Sequence, residues 1–286
     1  MVAARSAWTS SLGSPGSPTS LFELRRGLAV ALRAEADSLA SSAPMLIYGL
    51  NPVLEALRAG RVIAIRMSSS DRERLRAVRQ LAESAGVAVR SAEVAELDRA
   101  ARGGVHQGVV AELRAAEEYT PQELVAGAAG APLLVVLDGI EDPHNLGAIV
   151  RSVDAAGADG IIRQTRHAAR LDGAAAKASA GAVAHVKIAE VVNISRAIGE
   201  LKDAGVWTVG LDADARETHD QIDLTLPTAI VLGAEGQGLR RLVRESCDRL
   251  VSIPMRGHVS SLNVSVAAAV VLFEAVRQRA RRTKPD

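Results

Sequence analysis

Six strand-length apolar runs recur through the second half of this chain, at 133–137, 160–163, 186–189, 206–211, 229–232 and 250–253, and each is followed by a stretch expected to be helical. That alternation constrains the fold more than any other feature. Parallel neighbours need crossovers long enough to hold a helix, so a strand-then-helix rhythm predicts an α/β domain with a mainly parallel sheet covered by helices. In such sheets ligands sit outside the carboxyl ends of the strands, and the loops that follow strands are where chemistry is expected. With 286 residues, 48% of them apolar, the chain can bury a substantial core.

Upstream, a helix at 52–59, a strand at 62–67, a helix at 72–84 and strands at 87–90 and 108–113 read as a smaller α/β module over 45–115. Between the two units, 116–131 contains Gly127, Gly130 and Pro121 and breaks the periodicity, so it is expected to be a linker leading to a second domain at 132–286. Residues 1–20 are rich in Ser, Gly and Pro, with Arg5 as the sole charge, and 1–44 is expected to be a disordered or weakly ordered extension. An organelle transit peptide is a minority alternative, because Glu23, Glu35 and Asp37 follow closely.

Several classes are excluded on composition and spacing. Even the apolar stretch near 264–273 is ended by Glu274 and Arg277, so no membrane span is expected and the protein reads as soluble and cytoplasmic. Cys247 is the single cysteine, which rules out an internal disulfide and reads as buried filler. The six histidines are not paired at ligand spacing, and no metal is expected. Signatures of zinc proteases, serine hydrolases and P-loop enzymes are missing. A net charge of +1 does not itself announce a nucleic-acid partner, but arginines cluster at Arg72, Arg74, Arg76 and Arg79, with Arg72, Arg76 and Arg79 on one helical face. Solvated surface explains that cluster equally well.

Three loops after strands concentrate chemistry. The first runs from Asp138 to Arg151; Asn145 is placed to cap the helix, and Arg151, beside apolar Ile149 and Val150, suits a phosphate. The second, Leu232 to Leu239, has glycines at 233, 236 and 238 in a spacing that is not the dinucleotide fingerprint. In the third, Ile253 to Val266, the residues Ser260, Ser261 and Asn263 precede an apolar helix. One must cap it, and the others are surplus to that need.

Together these loops resemble the three motifs of the SpoU family of RNA 2′-O-ribose methyltransferases: P-H-N-L-G-A-I-V-R-S at 143–152, L-G-A-E-G-Q-G-L at 232–239 and I-P-M-R-G-H-V-S-S-L-N-V-S-V at 253–266. The stretch 177–182 is also similar, and the resemblance covers nearly all of 133–280. The segments 47–56 and 105–109 look like the small substrate-binding domain, related to ribosomal protein L30e, of one branch of the family. Within that branch the likeness is strongest to enzymes that methylate a guanosine of 23S rRNA.

The resemblance implies a SPOUT α/β-knot, in which the C-terminal segment threads a loop as a trefoil, and a homodimer with each active site near the subunit interface. It implies S-adenosylmethionine as methyl donor, contacted by Gly233, Ala234, Gly236, Ile253, Met255 and Leu262, and a catalytic set of Arg151, Asn145, Glu235, Ser261 and Asn263. Arginine is effectively never deprotonated, so Arg151 is read as a clamp on the RNA phosphate rather than a base. RNA contacts are assigned to Arg72, Arg76 and Arg79. A transfer-RNA methyltransferase and a non-catalytic assembly factor remain alternatives on the same motifs. One stretch departs from the family, R-Q-T-R-H-A-A-R at 163–170, where an aliphatic, proline-containing version is the rule.

Overall fold

The computed structural model describes residues 45–69, 73–115, 117–171 and 173–282. The expected extension at 1–44, Arg72 and the last four residues lie outside the described residues.

The first module is a four-stranded sheet, β1 (Met45–Tyr48), β2 (Val62–Met67), β3 (Ala88–Ser91) and β4 (Val109–Leu113), in the order β1-β4-β2-β3. Strand β4 runs antiparallel to β1 and β2, while β2 and β3 are parallel. Helices α1 (Leu50–Arg58), α2 (Glu73–Ser84) and α3 (Val94–Ala101) connect the strands. β1 and α3 are not legible in the sequence, one being four residues long and the other burying only Leu97 and Ala101.

The stretch expected as a linker contains helix α4 (Pro121–Ala126). Thr120 and Glu123 form a reciprocal capping box, Pro121 sits at a helix start where its missing N–H costs nothing, and Leu124 is buried. Short polar helices of this kind carry almost no periodic signal; the cap was the available clue.

The second unit is a seven-stranded sheet in the order β7-β6-β5-β10-β8-β11-β9, built from β5 (Leu133–Asp138), β6 (Gly160–Gln164), β7 (Ile188–Val191), β8 (Trp207–Leu211), β9 (Glu217–Thr218), β10 (Thr228–Gly233) and β11 (Arg249–Ser252). Every pairing in it is parallel, as the alternation predicts. Helices α5 (Pro143–Ala156), α6 (Gly173–Ala178), α7 (Ile194–Asp203), α8 (Arg241–Ser246) and α9 (Val264–Arg282) cover it. The alternation fails between β8 and β10: no helix follows β8 or β9. There the side chains of Asp212, Gln221 and Asp223 accept backbone N–H groups of Asp214, Thr218 and Thr225, and such local bonds compete with helix formation.

Alternate residues of the strands feed two cores. Leu133, Val135, Leu137, Ile161, Ile230 and Leu232 join one, and Leu134, Val136, Ile162, Ala229 and Val231 the other. The first continues without a break into the small module through Ile47, Val53, Ala56 and Leu57. The module is therefore seated on the larger unit rather than tethered to it. Polar contacts reinforce the seat: Lys177 Nζ donates to the Val105 carbonyl at 3.3 Å, Arg61 Nη1 to the Val183 carbonyl at 3.3 Å, and His185 lies 3.5 Å from Glu55. A Cβ on Gly181 would stand 2.5 Å from the Glu55 Cβ, so only glycine permits this approach. At the far end Arg279 donates to the carbonyls of Ala131, Pro132, Leu224 and Leu226, fastening α9 to the entries of β5 and β10.

Candidate active site

The loops after β5 and β10 and the start of α9 meet at the carboxyl end of the sheet. Asn145, 7% exposed, stands at their junction. Its Nδ2 donates to Glu235 Oε2 at 2.9 Å, and its Oδ1 accepts from Asn263 Nδ2 at 2.9 Å. One residue from each of the three sequence motifs is thus joined in a single chain of hydrogen bonds.

Asn145 does not cap its helix, contrary to the expectation. Asp142 takes that place, accepting the His144 N–H at 3.0 Å, and Pro143 is the first helical residue. Asn145 falls inside the first turn, and its amide is left free to reach across to the other loops. Asn263 does both jobs: its Oδ1 accepts the Ser265 N–H at the start of α9, while its amide nitrogen serves Asn145. Carrying this pair of contacts requires the amide chemistry of asparagine, a donor and an acceptor on one head group.

The loop after β10 turns back on itself. Gly238 N donates to the Ala234 carbonyl at 2.8 Å, and a Cβ on Gly233 would stand 2.1 Å from the Gly238 carbonyl carbon. Gly236 and Gly238 have φ of 77° and 68°, the left-handed region, and a Cβ on either would meet nothing within 4 Å. Gly233 is required by packing, the other two by conformation, and the space before them is open.

A cleft of about 390 Å³ opens here, lined by Gly139, Glu141, Asn145, Glu235 and Gly238 among others. Its floor holds a network the sequence did not disclose. Asp138 is fully buried and accepts from Arg240 N at 2.9 Å and Arg240 Nε at 2.6 Å, with Arg240 Nη2 also paired to it. Arg240 Nη2 further donates to Gln164 Oε1 at 2.7 Å, and Gln164 Nε2 donates to the His167 carbonyl at 2.9 Å. The signal available was an aspartate closing a fully apolar strand, since a buried carboxylate demands a cation.

Of the other expected site residues, Ala234 lines the cleft and Gly233 and Gly236 belong to its glycine loop. Ile253, Met255, Ser261 and Leu262 lie along the connection from β11 to α9 and do not border the cleft. Residues 253–262 make no backbone hydrogen bond with the described residues, so this segment presents unpaired donors and acceptors. Arg151 is exposed on α5, outside the cleft lining. Arg76 and Arg79 are exposed on α2, in the small module rather than at the cleft. Among the described residues no group of three or more His, Cys, Asp or Glu side chains is placed to hold a metal ion, and no helix is long and apolar enough to cross a membrane.

A mainly parallel α/β unit with three motif loops joined at its carboxyl edge, preceded by a small α/β module, defines a class. Residues 132–273 match the SpoU rRNA Methylase family and residues 46–119 match the RNA 2′-O ribose methyltransferase substrate-binding family. The chain belongs to the SpoU family. It is 44% identical over 239 residues to the 23S rRNA (guanosine-2′-O-)-methyltransferase RlmB of Yersinia pestis, covering 82% of this chain and 97% of that protein. An uncharacterized tRNA/rRNA methyltransferase of Mycolicibacterium vanbaalenii is 46% identical over 240 residues, covering 82% of this chain and 76% of the relative. Among solved structures, the SpoU methyltransferase AviRb of Streptomyces viridochromogenes in complex with AdoMet superposes with a TM-score of 0.70 at 28% identity, over 83% of this chain and 91% of that one.

Proposed function

We propose that this chain methylates the ribose 2′-oxygen of a guanosine in 23S rRNA, drawing the methyl group from S-adenosylmethionine. The observation that carries the reading is the Glu235–Asn145–Asn263 hydrogen-bond chain, which gathers three distant motifs at one strand edge. The substrate follows from the similarity to the RlmB enzyme along nearly that protein's whole length.

The residues present suit the donor. The open space before Gly236 and Gly238 admits a ligand close to backbone, and the unpaired segment 253–262 offers N–H and carbonyl groups to it. Gly233, Ala234, Gly236, Ile253, Met255 and Leu262 would hold S-adenosylmethionine, whose sulfonium supplies an electrophilic methyl group. The chain itself must align the ribose and handle the hydroxyl proton. Asn145 and Asn263, locked to each other, orient the sugar together with Ser261, and Glu235 is held in place by Asn145. Arg151 clamps the neighbouring RNA phosphate, and the phosphate oxygen accepts the proton or relays it to solvent, because a guanidinium remains charged.

Three further parts belong to this proposal. RNA affinity comes largely from the small module, with Arg72, Arg76 and Arg79 as its phosphate contacts. A second copy completes the site beside Arg151; Val266 and Phe273, each 48% exposed and seven residues apart on α9, offer an apolar face for it. The C-terminal segment is threaded as the family's knot, a reading supported by β10 lying between β5 and β8 while β11 lies beyond β8. A cytoplasmic location goes with an rRNA substrate.

The test is an Arg151→Ala variant incubated with tritiated donor and unmethylated 23S rRNA fragments or tRNA, with the labelled ribose mapped. Label is expected in the wild type on a 23S guanosine, and the variant is expected to bind donor within a few-fold of wild type while transferring none. Wild-type label on tRNA alone would overturn the substrate, and equal loss of donor binding and transfer in the variant would remove the role of Arg151.

A further inference from the structure

Strand β6 ends in Arg163 and Gln164 at the point where this chain departs from its family pattern. Arg163 is 5% exposed, and its Nε and Nη1 are buried with no hydrogen-bond partner. Its one ionic neighbour among the described residues is Glu190 across the β6–β7 pairing, at 3.6 Å and half-exposed. By strand alternation Arg163 faces the same core as Ile161 and neighbours Leu137 in register, an apolar setting. Contrast Arg279 and Arg61, whose guanidinium groups donate to backbone carbonyls, and Arg240, whose Nε and Nη2 donate to Asp138 and Gln164. Burial of Arg163 pulls its pKa down, with Glu190 opposing only in part.

A guanidinium withdrawn from water without replacement bonds destabilises the fold, and an apolar side chain of similar volume would do better there. Such a residue is expected to be kept for something the free protein does not contain. The segment after it supplies the context. His167 has a φ of 52°, an unfavourable conformation for a residue with a side chain, and it lines the active-site cleft, while its carbonyl is held by Gln164. A buried guanidinium with two unpaired N–H groups and a positive-φ residue thus fall within five residues, at the end of β6.

We propose that Arg163 is an anion-binding residue for the substrate: the strand-exit segment shifts when RNA enters and a phosphodiester oxygen takes up the free N–H groups of Arg163. This rests on the RNA-methylating reading above. By alternation Arg163 and Gln164 face opposite sides of β6, so the phosphate is one outside the cleft that Gln164 and His167 border.

Two substitutions test it in the full-length chain, using an unmethylated 23S rRNA fragment as probe and measuring affinity against salt. Arg163→Met is expected to weaken binding about 3–10-fold and to reduce the salt slope by about 0.7–0.9, the contribution of one phosphate contact. It is also expected to raise Tm by about 2–4 °C, since a buried charge with two unpaired N–H groups is lost. Glu190→Gln, at a half-exposed position, removes the competing carboxylate and is expected to tighten RNA binding. Unchanged RNA affinity and salt slope in both variants would overturn the proposal, as would a fall in Tm for Arg163→Met with RNA binding intact, which would make the arginine a purely structural partner of Glu190. Donor affinity, followed in parallel, is expected to be unaffected. A wild-type chain that binds donor but no RNA would instead refute the proposed function itself, and this inference with it.

Discussion

Replacing Asn145 should separate alignment from stability in this molecule. In Asn145→Ala two hydrogen bonds disappear, one to a carboxylate and one from an amide. Bonds to charged groups contribute about 1.5–3 kcal/mol and neutral ones about 0.5–1.5 kcal/mol. Glu235 and Asn263 are both exposed, so water replaces much of what they lose, and about 2 kcal/mol is the expected cost. For a folded unit of this size that corresponds to a fall in Tm of about 4–8 °C. The effect on catalysis should be larger, because a displacement of about 1 Å of an aligning group costs on the order of 10²-fold in rate. Asn145→Asp sharpens the test by placing a carboxylate against the Glu235 carboxylate. At about 4 Å and an effective dielectric of about 20 the repulsion is roughly 4 kcal/mol, and solvent around exposed Glu235 reduces it to about 1–2 kcal/mol. Protonating either carboxylate restores a donor between them. The variant's single-turnover methyl-transfer rate, relative to wild type, should therefore rise as pH falls. Full activity in Asn145→Ala, or a pH profile for Asn145→Asp that parallels wild type, would refute the idea that this hydrogen-bond chain aligns the site.

Two other measurements follow from the geometry. Gly233→Ala would drive a Cβ into the Gly238 backbone at 2.1 Å, so donor binding measured by calorimetry should be abolished and Tm lowered, whereas Ala234→Gly should retain binding. Cys247 is partly buried rather than the fully buried filler expected, desolvation pushes its thiol up to about 12, and its Sγ lies 3.3 Å from the Val243 carbonyl. Folded protein should accordingly resist alkylation at pH 8 and react fully only in denaturant; rapid native labelling, followed by mass spectrometry, would contradict this burial.

Much of the architecture was readable because it depends on local periodicity. The strands at 133–137 and 229–232 are continuous apolar runs, the form taken by strands buried on both faces of a parallel sheet. Helix α4, two-residue β9 and the helix-free segment after β8 were not readable, since each is set by side-chain capping or by a neighbouring strand rather than by a repeating pattern. Asn145 shows the same divide at the site. Its position near a helix start suggested a cap, and only the fold revealed that Asp142 caps instead and that the amide spans two other loops.

What the sequence determined by itself was the rhythm of parallel strands and helices, the three polar loops after strands and their family likeness, because these are encoded within a few neighbouring residues. The tertiary structure alone decided that Asn145, Glu235 and Asn263 share hydrogen bonds, that Asp138 and Arg240 close the cleft floor and that Nε and Nη1 of Arg163 are buried without a hydrogen-bond partner among the described residues. Those facts join residues dozens to more than a hundred positions apart, or depend on what is absent around a side chain, and both are properties of packing that no local pattern can hold.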